Sequence, residues 1–217
     1  MKRKALVTGA GGFIGHHLVN YLKSKGIWAG PLIREGVTQG VASKGYSFTG
    51  LSKGKPIVLV MGGSLGAGGI NKVIESSLPD ILVEFQLIHI TGQGKKSSFQ
   101  GDGYVQMEFV GKELCHLYAM ADIILTRAGS NSIHEVLLCQ KPMVLVPLPH
   151  SRGDQIQNAD LFHKKGWAKV LKEEDLTFVS LNRCLKEILF SIKKKSSVRP
   201  HSSGNQVIIE LLKKLCK

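Results

Sequence analysis

The stretch from Thr126 to Ala159 decides the fold class and reads TRAGSNSIHEVLLCQKPMVLVPLPHSRGDQIQNA. It predicts a loop, a helix at Ser132–Cys139, a buried strand at Met143–Pro147, and a polar loop that opens a second helix at Gln155–Lys165. A continuous apolar strand between two helices is typical of a parallel sheet whose two faces are both covered. The polar residues of the stretch cluster at the ends of these elements, which is where α/β folds bind ligands.

The same alternation of strands and helices extends along the rest of the chain. Further strands are predicted at 4–8, 56–61, 85–91, 104–109, 123–125 and 168–171. Further helices are predicted at 15–25, 70–78, 112–120, 180–194 and 205–215. We therefore predict one Rossmann-like α/β domain of roughly six parallel strands, with helices on both faces and right-handed crossovers. Residues 27–54 carry six glycines and are interpreted as an irregular linker with room for one short strand.

The charge of the chain favours anionic partners. Lys and Arg number 29 against 16 Asp and Glu, which gives a formal net charge of +13 in 217 residues. Such a balance suits phosphorylated small molecules, nucleic acid or an acidic membrane. The run Lys193-Lys194-Lys195 suggests contact with anionic lipid headgroups. No nucleic-acid-binding signature accompanies the charge, so we expect no nucleic-acid partner.

The cysteines and the hydropathy pattern predict the cellular location. The four cysteines, at 115, 139, 184 and 216, are far apart and form no CxxC pair. This pattern suits reduced thiols in a cytoplasm and predicts no metal site. No apolar run approaches the roughly 18–20 residues of a membrane span. We therefore expect a cytoplasmic protein, peripheral to the membrane if it binds one.

Three loops carry candidate binding residues. The glycine-rich loop from Gly62 to Gly69 separates a buried strand from a helix, so its amides and the Ser64 hydroxyl could hold a phosphate. A tight turn without a ligand explains this loop equally well. Glu135 could accept hydrogen bonds from both hydroxyls of a ribose, although it could also be an ordinary exposed helix residue. Gln155 suits sugar hydroxyls, and the alternative is a plain helix start with Asp154 as its N-cap.

Five segments of the chain resemble a known family. They read GPLIRE at 30–35, KPIVLVMGGSLGAGGIN at 55–71, EFQLIHITGQG at 84–94, EFVGKELCHLYAMADIILTRAGSNSIHEVL at 108–137, and KPMVLVPLPHSRGDQIQNADLF at 141–162. In order and spacing they resemble the C-terminal, donor-binding domain of MurG-type N-acetylglucosaminyltransferases. The resemblance implies one half of a GT-B glycosyltransferase fold. It also implies an inverting transfer from UDP-N-acetylglucosamine (UDP-GlcNAc) to a lipid-linked acceptor in peptidoglycan synthesis, on the cytoplasmic face of the membrane.

The resemblance also implies a set of binding residues. Arg34, Gly63 and Ser64 would contact the diphosphate, while Ser130, Asn131 and Ser132 would line its phosphate and sugar side. Glu135 would hold the ribose, and the main chain of Val110 would pair with uracil. Gln155 would contact the sugar hydroxyls, with Asp154 beside it. UDP-GlcNAc would be the donor substrate, and no cofactor would be required.

The first residues resemble a different family. The segment KALVTGAGGFIGHHLVNYLKSKG at 4–26 contains Gly9, Gly12 and Gly15 in a TGxxGxxG loop, as in nicotinamide-dependent nucleotide-sugar epimerases. The acidic residue of that family would fall near Ile33, where none stands, so NAD is not expected. We therefore divide the chain into an epimerase-like βα fragment at 1–29 and a donor-binding domain at 30–217, and interpret the N-terminus as chimeric.

The division leaves the catalytic residues unassigned. His16 is a candidate base, but a histidine on a helix surface is the simpler interpretation. A truncated transferase that lacks its own acceptor domain would need a membrane-bound partner to supply one. The alternatives are a non-catalytic nucleotide-sugar-binding module and an NAD-dependent epimerase remnant.

Overall fold

A six-stranded parallel sheet runs through the computed structural model, which describes residues 31, 33–62, 68–149 and 154–192 and positions 205, 209, 210 and 213. The strands are β1 (Ile57–Met61), β2 (Gln86–Ile90), β3 (Tyr104–Met107), β4 (Ile123–Thr126), β5 (Met143–Leu145) and β6 (Ala168–Val170). The helices are α1 (Ala42–Thr49), α2 (Gly68–Glu84), α3 (Leu114–Met120), α4 (Ser130–Leu138), α5 (Asp154–Lys164) and α6 (Phe178–Ile192). Short 3-10 turns lie at Val37–Gln39 and Glu173–Asp175. This architecture confirms the predicted α/β class.

The chain reverses its direction of travel across the sheet between β1 and β4. The strand order is β3-β2-β1-β4-β5-β6. From β1 the chain moves outward to β2 and β3, and from β4 it moves the opposite way to β5 and β6. Right-handed crossovers therefore send α2 and α4 to opposite faces. The two strands that meet at this reversal end side by side, which leaves a crevice at their carboxyl ends.

Strand β1 shows how the two faces of the sheet are filled. Ile57, Leu59 and Met61 pack with α3, α4 and α5, whereas Val58 and Val60 pack with α2 and α6. Each of these five side chains is at most 7% exposed. An apolar residue at every position is what a strand covered on both faces requires.

The prediction of an irregular linker at 27–54 is wrong at 42–49. Helix α1 occupies Ala42–Thr49 and packs against α3. One of the glycines that suggested a linker allows this packing, since a Cβ on Gly45 would lie 2.7 Å from the carbonyl oxygen of His116. The main-chain N–H of Val41 donates to Nδ1 of His116 at 3.0 Å and ties the start of the helix to α3. Tertiary packing here overrides a weak local helix propensity.

Helix α2 is longer than the predicted helix at 70–78. It continues through Pro79 to Glu84. Proline removes one N–H from the helix ladder, but Leu78 and Ile81 on either side are at most 2% exposed and hold the helix against the sheet. The other predicted elements after residue 55 are confirmed, with bounds shifted by a few residues. Of the predicted helix at 205–215, the four described positions are helical.

Several predictions fall outside the described residues. They concern the epimerase-like unit with Gly9, Gly12, Gly15 and His16, and the basic run at 193–195. The boundary at residues 29 and 30 also stays a prediction. From Ile33 onward the chain contributes to the same core as the sheet, since Ile33 and Val37 pack in the cluster with α4.

A buried polar chain joins α2 to the sheet. Nδ2 of Asn71 donates to the carbonyl oxygen of Thr91 at 2.9 Å, so its Oδ1 accepts from Nε2 of His89 at 3.0 Å. Nδ1 of His89 then accepts from the Tyr104 hydroxyl at 3.0 Å. His89 is fully buried, and burial lowers its pKa to about 4. The histidine is therefore neutral in the folded protein at pH 7.

We predict that His89 makes stability depend on pH. Between the ordinary pKa near 6.5 and the folded value near 4, only the unfolded chain takes up the proton, so stability falls as pH falls through this window. The free energy of unfolding should drop by roughly 2–3 kcal/mol between pH 7 and pH 4.5 from this group alone. Urea unfolding of the wild type and of His89→Gln at both pH values measures this change in the free energy of unfolding. If the free energies of the two proteins depended equally on pH, His89 would not be the source of the pH dependence.

Candidate functional site

The strands β1, β4 and β5 end at the same edge of the sheet. Met61, Thr126 and Leu145 pair across it in register. The glycine-rich loop follows β1, and its residues 63–67 lie outside the described ranges. The roles expected for Gly63 and Ser64 therefore stay predictions, while the loops after β4 and β5 carry the remaining candidates.

Glu135 is a buried carboxylate on α4. Its side chain is only 9% exposed, so it is not the exposed helix residue that was the alternative. Oε2 accepts from the hydroxyl of Tyr118 at 3.3 Å. Oε1 accepts from the main-chain N–H of Arg34 at 3.3 Å and lies 3.8 Å from Nε of the same residue. A buried carboxylate needs such partners, because it would otherwise lose its hydration without compensation.

Arg34 brings three of the predicted positions together. Its side chain is 48% exposed and lies between Glu135 and the loop that precedes α3. Nη1 of Arg34 donates to the carbonyl oxygen of Gly111 at 3.4 Å. Val110, next to that glycine, has a buried side chain, and no other described residue hydrogen-bonds its main-chain N–H or carbonyl oxygen. Its main chain could therefore pair with a ligand.

The first turn of α4 is an uncapped helix start. Ser130, Asn131 and Ser132 form this turn, Gly129 precedes it, and no side chain in the described ranges caps it. No acidic residue lies in the turn. The first N–H groups of a helix lack partners within it and attract anions. The helix begins two residues earlier than predicted, so all three polar residues belong to its first turn.

Gln155 and Asp154 open α5 at the same edge. Oε1 of Gln155 accepts from the main-chain N–H of Leu148 at 3.1 Å, so this amide closes its own loop. Asp154 is the first residue of the helix and not the residue before it, as the N-cap alternative required. Nδ2 of Asn158, one turn further, donates to the carbonyl oxygen of Ala128 at 3.0 Å and holds the loop before α4.

One buried hydroxyl at this edge is unsatisfied. Thr126 ends β4 and is 1% exposed, yet Oγ1 has no hydrogen-bond partner among the described residues. A buried polar group without a partner is rare in folded proteins. The hydroxyl therefore offers one donor and acceptor close to the start of α4.

An ion pair that the sequence analysis missed supports the site. Nη1 and Nη2 of Arg127 contact Oε2 and Oε1 of Glu173 at 3.1 and 2.7 Å, and Arg127 is 7% exposed. Arg127 also donates to the carbonyl oxygen of Val146 at 3.1 Å. The pair thus links the loops after β4 and β5 to the turn after β6. This ion pair is hard to predict from the sequence, because the run Glu173-Glu174-Asp175 is typical of an exposed turn.

A cavity of about 290 Å³ lies beside Arg34. It is lined by residues 33–38 together with Leu138 and Asn205. The side-chain amide of Asn205 pairs with both the N–H and the carbonyl oxygen of Ile33, at 3.0 and 2.6 Å. The C-terminal segment therefore fixes the main chain next to Arg34.

Within the described ranges, no cluster of three or more His, Cys, Asp or Glu side chains could hold a metal ion. Among the helices that the structure describes, none has the length and apolar content needed to cross a bilayer.

Comparison with known proteins identifies the family. The family model described as "Glycosyltransferase family 28 C-terminal domain" matches residues 57–212. The chain belongs to this family. The match includes every strand of the sheet and the candidate residues from Gly63 to Gln155, whereas Arg34 lies before the matched range.

Two curated relatives share one name, except that the first carries a final number. A protein from Bacillus cereus, "UDP-N-acetylglucosamine--N-acetylmuramyl-(pentapeptide) pyrophosphoryl-undecaprenol N-acetylglucosamine transferase 2", is 41% identical over 197 residues, covering 89% of this chain and 56% of the relative. Its counterpart from Staphylococcus haemolyticus is 46% identical over 169 residues, covering 76% and 48%. The chain thus spans about half the length of the relatives it matches.

A solved structure supports the fold. The crystal structure of Acinetobacter baumannii MurG superposes with a TM-score of 0.60 at 24% identity, covering 78% of this chain and 52% of that chain. This likeness confirms the predicted fold, one half of a GT-B glycosyltransferase.

We predict that two neighbouring glycines of this family 28 domain respond differently to alanine. A Cβ on Gly69 would overlap Oε1 of Glu173, whereas a Cβ on Gly68 would meet open space. Gly69→Ala should displace the Glu173 carboxylate from the buried Arg127 and lower stability by about 1–3 kcal/mol. Gly68→Ala should be neutral or stabilise by up to about 1 kcal/mol. Thermal and urea unfolding compare the two variants, and equal stabilities would show that the ion pair does not depend on Gly69.

Proposed function

We propose that this chain is the UDP-GlcNAc-binding half of an inverting N-acetylglucosaminyltransferase. The observation that carries the proposal is the buried carboxylate of Glu135 beside Arg34, next to the uncapped start of α4. Family membership and the printed names of the relatives support the same assignment.

In this proposal Glu135 accepts hydrogen bonds from the ribose hydroxyls. A carboxylate has two oxygens and about four acceptor positions. Tyr118 and the Arg34 main chain each occupy one of these on different oxygens. Each oxygen therefore keeps capacity for one further donor, which matches the two neighbouring hydroxyls of a ribose.

The diphosphate would lie at the first turn of α4. The N–H groups of Ser130, Asn131 and Ser132 have no hydrogen-bond partner among the described residues. Together with the positive end of the helix dipole they favour an anion there. Arg34 is half-exposed, and Glu135 keeps the main-chain N–H of Arg34 and the Tyr118 hydroxyl as donors when the guanidinium turns towards a phosphate. Gly63 and Ser64 are proposed to contact the same group from the loop after β1.

The base and the sugar would occupy the two ends of the site. The main chain of Val110 is proposed to pair with uracil, since its N–H and carbonyl oxygen have no described partner. Gln155 and Asp154 are proposed to contact the hydroxyls of the GlcNAc ring. Among the described residues, only the N–H of Leu148 contacts the Gln155 side chain, at its carbonyl oxygen, so its NH₂ is proposed to make this contact.

The chemistry would be a single displacement. An acceptor hydroxyl oxygen attacks the anomeric carbon, the bond from that carbon to the diphosphate breaks, and UDP leaves with the electron pair. The helix start and Arg34 stabilise the negative charge that develops on the leaving group. The acceptor proton needs a base from the acceptor side. His16 remains a prediction for that role, and neither NAD nor any other cofactor takes part.

The acceptor and the cellular location are part of the same proposal. The printed names of the relatives contain a lipid-linked, undecaprenol-type acceptor, and the net charge of +13 favours an anionic membrane surface. We propose a protein peripheral to the cytoplasmic face of the membrane, with the acceptor held by a membrane-bound domain.

Calorimetric titration tests donor binding. The purified chain should bind UDP and UDP-GlcNAc but not NAD. Glu135→Gln, which keeps the shape of the side chain and removes its charge, should weaken UDP binding about tenfold or more, because hydrogen bonds to a charged group contribute roughly 1.5–3 kcal/mol. Glu187→Gln is the matched control, since this glutamate is exposed on α6 and contacts Lys169.

Three outcomes would refute the proposal or favour another function. Absence of UDP binding by the folded wild type would refute it. Binding of NAD alone would favour the epimerase remnant. Binding of UDP-GlcNAc without transfer, even when the N-terminal half of a curated relative and a lipid acceptor are supplied, would favour a non-catalytic binding module.

A further inference from the structure

The hydroxyl of Tyr118 is placed against the carboxylate that the proposed function assigns to the ribose. Tyr118 lies on α3 and is fully buried. Its hydroxyl is 3.3 Å from Oε2 of Glu135 and 3.6 Å from Sδ of Met61, the last residue of β1. A phenylalanine would fill the same apolar space, so the hydroxyl itself calls for a physical reason.

The direction of this hydrogen bond is fixed. A carboxylate accepts only, so the phenol must donate. Burial and the neighbouring charge of Glu135 raise the pKa of Tyr118 far above its ordinary value. The phenol therefore keeps its proton at pH 7, and its hydroxyl donates to Oε2 of Glu135 in preference to the weaker acceptor Sδ of Met61.

The two oxygens of Glu135 are tied to different parts of the chain. Tyr118 on α3 holds Oε2, and the main-chain N–H of Arg34 holds Oε1. Hydrogen bonds from two donors to different oxygens restrict rotation of the carboxylate about its terminal carbon–carbon bond. Without them, the torsion angle about this bond would vary widely. The plane of the carboxylate, and with it the remaining acceptor positions, is then set before a ligand arrives.

We propose that Tyr118 is a positioning residue that makes the site selective for ribonucleotides over 2′-deoxyribonucleotides. This inference rests on the proposed role of Glu135. Two neighbouring hydroxyls form a bidentate contact only with a carboxylate held in the correct plane, so the energy of the second contact depends on the orientation that Tyr118 imposes. A carboxylate free to rotate can still accept from one hydroxyl, and it then distinguishes the two sugars poorly.

A tyrosine that serves only to fill the core would behave differently. Its loss would weaken UDP and 2′-deoxy-UDP equally, or would lower stability without any change in binding. The ratio of the two dissociation constants therefore separates positioning from packing.

The experiment compares Tyr118→Phe with Tyr104→Phe. Both variants remove a buried hydroxyl that donates a hydrogen bond, but the Tyr104 hydroxyl donates to His89 on the opposite face of the sheet. Calorimetry with UDP and 2′-deoxy-UDP is expected to show that the wild type prefers UDP by about tenfold or more. Tyr118→Phe should weaken UDP binding about fivefold to tenfold and 2′-deoxy-UDP binding less than about twofold. Tyr104→Phe should keep the wild-type ratio.

The possible failures are distinguishable. If the wild type binds neither nucleotide, the proposed function fails. If it prefers UDP and Tyr118→Phe keeps the full preference, only the role of Tyr118 fails. If the wild type binds both nucleotides equally, neither Glu135 nor Tyr118 reads the ribose. Thermal unfolding confirms that each variant is folded, and Tyr118→Met, which also removes the hydroxyl, replaces Tyr118→Phe if that variant does not fold.

Discussion

Six parallel strands end at one edge, and the direction of the chain across the sheet reverses between β1 and β4. Because parallel strands need crossovers of one hand, the helices after these two strands lie on opposite faces. Helix α4 therefore starts beside the gap at the carboxyl ends of these two strands. The placement of α4 and of the buried Glu135 depends on this reversal. Open α/β sheets bind ligands in the crevice that such a reversal leaves.

Two ion pairs lie around that gap. Arg127 with Glu173 joins the loops to the turn after β6, and Arg34 with Glu135 joins the start of the described chain to α4. Each pair contains one group that is less than one-tenth exposed, and such a group is costly to leave without a partner. The pairs therefore tie these loops to the turn after β6 and to α4. The Arg34 side chain is about half exposed, so it can turn to a ligand.

The strands could be predicted from the sequence because each central strand is a short apolar run bounded by glycine, proline or polar residues. Helix α1 could not, since its sequence ASKGYSFT is poor in helix-forming residues and its one glycine, Gly45, acts through contact with α3. The same limit applies to the site. Glu135 could be proposed as a ribose contact from its place in the sequence and from the family resemblance, but its burial and its contact with Tyr118 follow from the tertiary structure. A tyrosine in the pattern LCHLYAM is indistinguishable from an ordinary core residue until the fold brings it to α4.

A crystal structure of the chain with UDP would show directly whether Glu135 and the start of α4 hold the nucleotide. Both ribose hydroxyls should lie within hydrogen-bond distance of the Glu135 carboxylate, the diphosphate should lie at the first turn of α4, and the Arg34 guanidinium should have turned towards it. UDP bound elsewhere, or a ribose that leaves Glu135 in contact only with Tyr118 and Arg34, would refute the proposed site.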